Sequence, residues 1–320
     1  MFAMRGIAVS LSVFVLVYWM LSLAVVVGWR RAWMRAHRFS VRRGADVLFA
    51  LRMFPLIAAT LITAALTVPS FLLLEPRVTN EPIGAVSLAL GVCGLILVVA
   101  GIKNAVVVFR KAARTVVEWT RGARPAGRAR SVPVLKILPT TPAMTTTGIL
   151  RPRILLSGAV ELQLTESELQ AALNHELAHV HRADNLKKLL MRLVPFPGMR
   201  QLEATWLENT EMAADDAAVT TSGDALDLAA ALVKLSRTIP KAATKGLAAA
   251  LVHGPASAIC ARVERLLTWS EKPCVAGAKP SRYYWLSFGL PASFIVLAMF
   301  ALTYNQLLVY VHEATEWLVR

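Results

Sequence analysis

Long apolar stretches dominate the pattern of hydrophobic and polar positions along this chain of 320 residues. Four runs are almost free of charged side chains, at about residues 7–28, 47–74, 83–108 and 281–311. About 20 apolar residues in a helix are enough to cross the hydrocarbon core of a bilayer. Runs of this length are uncommon in soluble proteins. The pattern therefore predicts four transmembrane helices, with the one long polar stretch between the third and the fourth.

The charges that flank these runs predict how the chain is oriented. Six arginines follow the first run and a second basic cluster follows the third, whereas the loop between the second and third runs carries Glu75, Arg77 and Glu81. Basic residues near membrane helices are retained on the cytoplasmic side. We therefore expect an external N terminus and a cytoplasmic central domain. The expected order is three spans within residues 1–110, a basic linker at 111–132, the central domain at 133–280, a fourth span at 281–311 and a short external tail at 312–320.

Composition supports a membrane protein and argues against two other classes. Hydrophobic residues make up 56% of the chain and charged residues only 17%, and the mean hydropathy is +0.54. The formal net charge of +15 falls largely beside the apolar runs, where basic side chains bind anionic lipid. We therefore expect lipid contacts and no direct binding of nucleic acid. The three cysteines lack CxxC spacing, so neither a disulfide framework nor a cysteine metal site is expected.

The central domain combines a strand-like part with helices. Residues 132–138 and 149–156 are apolar and rich in strand-forming side chains, with prolines between them, and predict a small sheet. Thr165 followed three residues later by Glu168 forms a capping-box pattern at the start of an apolar, helical periodicity. The domain is therefore expected to be α+β, with a helix that begins near residue 165.

That helix carries the sequence HELAH. His175 and His179 are four residues apart on one face, so both imidazoles can bind one zinc ion, and Glu176 can accept a proton from water that the zinc activates. One Zn²⁺ per chain is therefore expected, and the chemistry indicated is hydrolysis of a peptide bond. We interpret His181 as a surface or substrate-side residue, because it lies on another side of the helix, and Asp184 as a residue that ends or braces the helix.

A catalytic zinc ion usually has three protein ligands, so one more is needed. The metzincin pattern would place Gly and His three and six residues after the second His, where this chain has Arg182 and Asn185. The third ligand should then be a carboxylate on the next predicted helix, residues 199–219. We assign Glu211 as the ligand, with Glu208 as the alternative. Asp215, one turn further along, is expected to hold a ligating imidazole by its free N–H.

Three segments together resemble the membrane gluzincins of the BlaR/MecR type, which sense β-lactams in bacteria and trigger proteolysis of a cytoplasmic repressor. They are HELAHVHRAD from residue 175, GILRPRILLS from residue 148 and EMAADDAAV from residue 211. The resemblance implies an α-helical protein of the bacterial inner membrane, with four spans and an inserted cytoplasmic α+β zincin domain of the gluzincin type. It also implies His175, His179 and Glu211 as ligands, Glu176 as the base and Asp215 braced against a histidine.

Further roles follow only from this resemblance. Residues Ile154, Leu155 and Leu156 are implied to form an edge strand that pairs with an extended substrate. His253 and Arg262 match, in order and rough spacing, a later His and Arg that steady the tetrahedral intermediate in related membrane gluzincins. Sensors of the BlaR/MecR type continue after the fourth span into an external penicillin-binding domain. Because this sequence stops at Arg320, we expect no such sensor here.

The function that these patterns favour is an integral membrane zinc endopeptidase in signal transduction. Its expected substrate is a cytoplasmic or membrane-proximal protein, with a transcriptional repressor and the chain itself as candidates. One alternative is a quality-control metallopeptidase of the membrane-bound heat-shock type, which shares HExxH and a later Glu with an Asp four residues on. Another is a membrane signalling or scaffold protein whose zinc site cuts nothing. Glu176 favours an enzyme, because a structural zinc site does not need a free carboxylate beside the metal.

Overall fold

The structure is a computed structural model, and it divides the chain into two compact units. It describes residues 2–36, 40–77, 84–137, 144–193, 195–238, 249–250, 256–271 and 302–317. The first unit is formed by Met1–Gly28, Met53–Ala100 and Val275–Arg320. The second unit is formed by Trp29–Arg52 and Gly101–Cys274.

Long apolar helices make up most of the N-terminal third of the chain. They are α1 (Phe2–Ala36), α2 (Val41–Ile62), a π-helical turn (Thr63–Thr67), α3 (Val68–Leu74) and α4 (Ala85–Thr120). Of the segments that the structure describes, three are long and apolar enough to cross a membrane: Phe2–Arg31, Val41–Leu74 and Ala85–Thr120. They coincide with the first three predicted runs. The fourth run lies mostly outside the described residues, and its last part belongs to helix α11 (302–317).

Within the first unit, α1 and α4 approach each other closely. A Cβ atom on Gly94 would lie only 2.7 Å from the backbone oxygen of Leu11, so a glycine is needed at this crossing. Ser12 Oγ donates a hydrogen bond of 2.7 Å to the backbone oxygen of Ser87 beside it. Small residues and a hydroxyl group therefore hold these two apolar helices together, as is common where lipid surrounds a helix pair.

The second unit contains a mixed sheet of five strands. They are β1 (Arg124–Ala129), β2 (Val132–Ile137), β3 (Met144–Thr147), β4 (Arg153–Ser157) and β5 (Ala249–Ala250), in the order β1-β2-β4-β3-β5. Strands β2 and β4 are parallel, and the other pairs are antiparallel. Residues 111–132 are not the linker that we expected, because α4 continues to Thr120 and β1 pairs with β2.

The prediction that residues Ile154, Leu155 and Leu156 form an edge strand is wrong. Leu155 pairs with Leu135 of β2 on one side and with Thr145 of β3 on the other. The hydrogen-bonding groups of β4 are therefore used on both edges, and all three side chains are buried. A run of consecutive buried apolar residues is typical of a central strand covered on both faces, which is what β4 is.

Helices cover the sheet and supply the rest of the core. They are α5 (Gly158–Gln163), α6 (Glu166–His181), α7 (Asp184–Leu190), α8 (Arg200–Ala218), α9 (Ser222–Thr238) and α10 (Ala256–Glu271). Met144, Ile154 and Leu156 of the sheet share one buried cluster with Leu177 of α6 and Leu232 of α9. Helix α6 begins with the predicted capping box of Thr165 and Glu168, which is therefore confirmed.

Candidate metal centre

Helix α6 buries the three residues of the HExxH motif in the second unit. His175, Glu176 and His179 are each at most 2% exposed. The two imidazole Nε2 atoms lie 3.1 Å apart, with the rings nearly perpendicular. The spacing of four residues therefore directs both nitrogens to one point, as the sequence indicates.

Helix α8 brings Glu211 to the same point. Its Oε2 lies 3.6 Å from Nε2 of His175, and its Oε1 lies 3.7 Å from Nε2 of His179. His175, His179 and Glu211 form a buried group whose ligand atoms all lie within 4.8 Å of one another, so they could hold a metal ion. Glu208, the alternative ligand, is exposed and is not in this group.

The geometry of this group fits a zinc ion. Ligand atoms at 2.0–2.1 Å from one tetrahedral ion would be about 3.3 Å apart, close to the separations of 3.1, 3.6 and 3.7 Å found here. Both carboxylate oxygens of Glu211 are buried and accept no hydrogen bond from the described residues. A buried carboxylate without hydrogen bonds costs free energy unless it is compensated. Two imidazoles and a carboxylate are also a ligand set that catalytic zinc uses.

Each imidazole is held from behind by a carboxylate. Nδ1 of His179 lies 2.7 Å from Oδ2 of Asp184, and Nδ1 of His175 lies 2.9 Å from Oδ1 of Asp215. A carboxylate on Nδ1 fixes the ring and leaves Nε2 free for a metal. Asp184 reaches His179 because Ala183 adopts a left-handed backbone conformation (φ 53°) between α6 and α7. Asp215 therefore lies beside His175, and its role in holding a bound ligand stays a prediction. The sequence did not reveal the partner of Asp184.

Arg262 of α10 lies behind the carboxylates. It is 3% exposed and donates two hydrogen bonds to Asp215, from Nε to Oδ2 (2.7 Å) and from Nη2 to Oδ1 (2.6 Å). Its Nη1 lies 3.3 Å from Oε2 of Glu211. The structure therefore places Arg262 in contact with Glu211, a predicted ligand, and with Asp215, which lies beside the predicted ligand His175. His253, which was expected to act beside it, lies outside the described residues.

These contacts shift the pKa values of the metal-free site. Burial alone would lower the pKa of His179, but the charge of Glu211 and the hydrogen bond to Asp184 raise it to about 10. Burial opposes ionisation of Glu211, yet the charge of His179 and its contacts with both imidazoles hold its pKa well below the usual range. Burial also opposes ionisation of Asp215, but Arg262 lowers its pKa to about 2. The cluster is therefore highly charged before any metal binds.

Thr146 of β3 holds the carboxylate of Glu176. Its Oγ1 lies 2.6 Å from Oε2 of Glu176 and donates to it, whereas Oε1 of Glu176 is buried without a hydrogen-bond partner among the described residues. Asn185 Nδ2 in turn donates to the backbone oxygens of Thr146 and Gly148, both at 3.2 Å. No sequence motif predicted the roles of Thr146 and Asn185. The only signal was the polar run of threonines at 145–147, which differs from the apolar strands around it.

This site and the helices before it define a class of protein. A buried His-His-Glu group lies beside a glutamate with one oxygen that has no partner among the described residues. The described part of the chain also contains three helices apolar enough to cross a membrane. These are the features of a membrane-associated metallopeptidase. The family model of the BlaR1 peptidase M56 matches residues 78–266, more than half of the chain, and the chain belongs to this family. None of the curated proteins compared with the chain matches it.

Proposed function

We propose that the chain is a multi-pass zinc endopeptidase of the bacterial inner membrane that cuts a cytoplasmic or membrane-proximal protein. The observation that carries this proposal is the buried group of His175, His179 and Glu211 next to Glu176. The proposed arrangement keeps the four spans, the external N terminus and the cytoplasmic metal domain that the charge pattern favours. Three apolar helices and the family match support the membrane location.

The residues of the site divide the chemistry between them. His175, His179 and Glu211 would hold the ion, which when bound polarises the scissile carbonyl and makes water more acidic. Glu176 Oε1 has no hydrogen-bond partner among the described residues, so it is the oxygen available to accept the proton of the attacking water. Glu176 then gives that proton to the leaving amine. Thr146 keeps Oε2 fixed during both transfers.

The composition of the group favours an enzyme over a structural zinc site. Structural sites close all four positions with protein ligands, whereas catalytic sites use three and keep one open. Among the described residues, the group contains three possible ligands, and Glu176 stands beside them without being part of the group.

We further propose a role in signalling, with a repressor or the chain itself as the substrate. Membership of a family named after the BlaR1 peptidase supports this role.

The test compares metal content and proteolysis in the full-length protein purified in detergent. We expect wild type to contain one zinc ion and to cut an unfolded, fluorescently labelled protein. Glu176→Gln should keep its zinc and lose about 10²–10⁴-fold in rate, the usual contribution of a general base. His175→Ala should lose both zinc and cutting, and Glu208→Gln, a change of an exposed acid on α8, should lose neither. Cutting by Glu176→Gln at the wild-type rate would refute the proposed mechanism.

A further inference from the structure

A large groove lies beside the metal centre within the second unit. Its volume is about 1190 Å³. One wall is α4 between Asn104 and Thr120, and the others are the turn between β3 and β4, helix α7 and the first half of α8. This volume exceeds that of a typical small-molecule pocket, which is about 300–1,000 Å³. The groove is therefore large enough for a segment of polypeptide.

The groove reaches the residues that support the catalytic glutamate. Thr147 and Asn185 both line it. Thr147 follows Thr146, which binds the carboxylate of Glu176, and Asn185 donates a hydrogen bond to the backbone oxygen of Thr146. A chain lying in the groove would therefore extend toward the site of bond cleavage.

Positive charge dominates the lining of the groove. Among the described residues, the lining includes one acidic side chain, Glu203, and Arg52 pairs with it at 2.9 Å. Six of the described lining residues are basic: Lys111, Arg151, Arg153, Lys188, Arg192 and Arg200. They come from α4, the β3–β4 segment, α7 and the residues around the start of α8, so they surround the groove instead of forming one cluster. This distribution complements negative charges spread along an extended chain.

Lys188 of α7 lines the groove and interacts electrostatically with residues of the metal centre. Burial lowers its pKa from the ordinary value, while the charges of Glu211, Asp184 and Glu176 act in the opposite direction. Lys188 therefore lies within electrostatic reach of the predicted ligand and the catalytic base. The other five basic side chains of the described lining are exposed.

The lining of the groove also includes apolar side chains. Phe109 of α4 is 43% exposed, and Leu150 in the β3–β4 turn is 83% exposed. Trp119 and Met191 also line the groove. A lining that contains both apolar and basic side chains fits a peptide in which apolar and acidic side chains are mixed.

We propose that this groove binds the substrate beside its scissile bond and selects an extended, acidic segment with interspersed apolar residues. The proposal rests on the proposed endopeptidase function and adds its substrate class. Anionic lipid would also match the basic charges, but the groove continues to Thr147 and Asn185 beside the catalytic glutamate. A bound lipid headgroup does not explain why the groove extends to the catalytic glutamate, whereas a peptide substrate does. An acidic peptide is therefore the better occupant.

The experiment measures binding separately from cutting. Full-length Glu176→Gln protein in nanodiscs of zwitterionic lipid is titrated into two fluorescein-labelled peptides that are identical except that every Glu in one is Lys in the other. Fluorescence anisotropy gives the dissociation constants. The double variant Arg151→Glu/Arg192→Glu, made in the same background, reverses two exposed groove charges. Arg237→Glu, at an exposed residue of α9 outside the groove, is the matched control.

We expect the acidic peptide to bind at least about tenfold more tightly than the basic one, because each exposed ion pair contributes up to about 1 kcal/mol. The double variant should lose about tenfold in affinity for the acidic peptide, and the Arg237→Glu control should lose none. Equal binding of both peptides, or no effect of the double variant, overturns the proposal. So does a double variant that keeps its affinity for the acidic peptide but no longer binds vesicles with anionic lipid.

The two proposals fail in different ways. If Glu176→Gln binds the acidic peptide selectively while the wild type cuts no peptide, the groove's selectivity for acidic peptides stands, but the endopeptidase proposal and the role of the groove in substrate binding fail. If the wild type cuts the acidic and basic peptides with the same kcat/KM, the endopeptidase proposal stands and the groove proposal fails.

Discussion

The guanidinium group of Arg262 donates two hydrogen bonds, of 2.7 and 2.6 Å, to the carboxylate of Asp215. The same carboxylate lies 2.9 Å from Nδ1 of His175, a predicted metal ligand. Arg262 also lies 3.3 Å from Glu211, a second predicted ligand. Helix α10 therefore reaches the metal centre through one buried arginine that supports residues of α6 and α8.

Replacement of Arg262 by alanine should weaken metal binding. It leaves Asp215 buried without its main positive partner and removes a positive charge beside Glu211. Removing one member of a buried ion pair costs about 3–5 kcal/mol. Loss of support for ligating residues typically reduces metal affinity by about 10–100-fold. We expect a loss in that range for Arg262→Ala, measured by competition with a chromogenic zinc chelator. Arg262→Lys should recover only part of it, because an ammonium group cannot make both hydrogen bonds.

Arg265 offers a matched control on the same helix. It pairs with both oxygens of Asp216 on α8, but this ion pair is exposed to solvent. An exposed pair contributes about 0–1 kcal/mol, so Arg265→Ala should leave the zinc affinity unchanged. Wild-type zinc affinity in Arg262→Ala would show that the buried arginine does not support the ligands.

Zinc binding should depend strongly on pH because the metal-free site carries a proton on His179. The pKa of this imidazole is raised to about 10, so its charge stabilises the metal-free fold fully below the unfolded pKa of 6.5. That stabilisation disappears as the pH rises through about 10. A metal needs the neutral imidazole. Zinc affinity should therefore increase about tenfold for each unit by which the pH rises, up to about pH 10.

Calorimetry can count the proton that zinc displaces. Titrations at pH 7 in two buffers with different ionisation enthalpies should show about one proton released from His179 for each zinc ion bound. Asp184→Asn removes a hydrogen bond that raises the pKa of His179, so it should reduce this release at the upper end of the pH range. A zinc affinity that is constant between pH 6 and 8 would contradict the charged state of His179.

Local sequence patterns predicted the parts of the site that lie on one helix. The spacing of His175 and His179 fixes their common face, and the capping box of Thr165 and Glu168 fixes where the helix begins. Glu211 followed from the number of ligands that zinc needs, combined with one acidic helix. These inferences need only helical geometry and the chemistry of the metal.

The parts that were missed depend on contacts between distant segments. No local pattern states that Arg262 will meet Asp215, because α10 and α8 come together only in the folded domain. The edge-strand prediction failed for a related reason, since strand order depends on pairing across the whole sheet. One feature of the sequence did indicate that β4 is not an edge strand. The consecutive apolar residues of β4 are typical of a strand buried on both faces, and such a strand lies inside a sheet.

Removal of the Thr146 hydroxyl should slow catalysis without removing the metal. Thr146→Val has nearly the same shape but cannot donate to Oε2 of Glu176. A hydrogen bond to a charged group contributes about 1.5–3 kcal/mol, which corresponds to about 10–100-fold in rate. We expect kcat to fall within that range and zinc content to stay at the wild-type level. Thr146→Ser keeps the hydroxyl and should restore most of the rate, so an equally slow serine variant would point to packing instead.

The turn between β3 and β4 should be intolerant of a side chain at Gly148. This residue has φ of +86°, and a Cβ atom would lie 2.5 Å from the backbone oxygen of Arg151. The left-handed conformation costs an alanine about 1–2 kcal/mol, and the overlap with backbone adds about 1–3 kcal/mol. The turn also positions the catalytic base, because Asn185 binds the backbone oxygens of both Gly148 and Thr146.

Gly122 separates the two effects of the Gly148 substitution. It has φ of +75°, but a Cβ atom there meets nothing within 4 Å. Gly122→Ala should therefore carry only the conformational strain, whereas Gly148→Ala carries the strain and the overlap. We expect Gly148→Ala to have the lower Tm in thermal unfolding of the full-length protein, and the lower kcat, because displacement of the turn moves Thr146 away from Glu176. Equal Tm and kcat values in the two variants would show that the turn adjusts without disturbing the base.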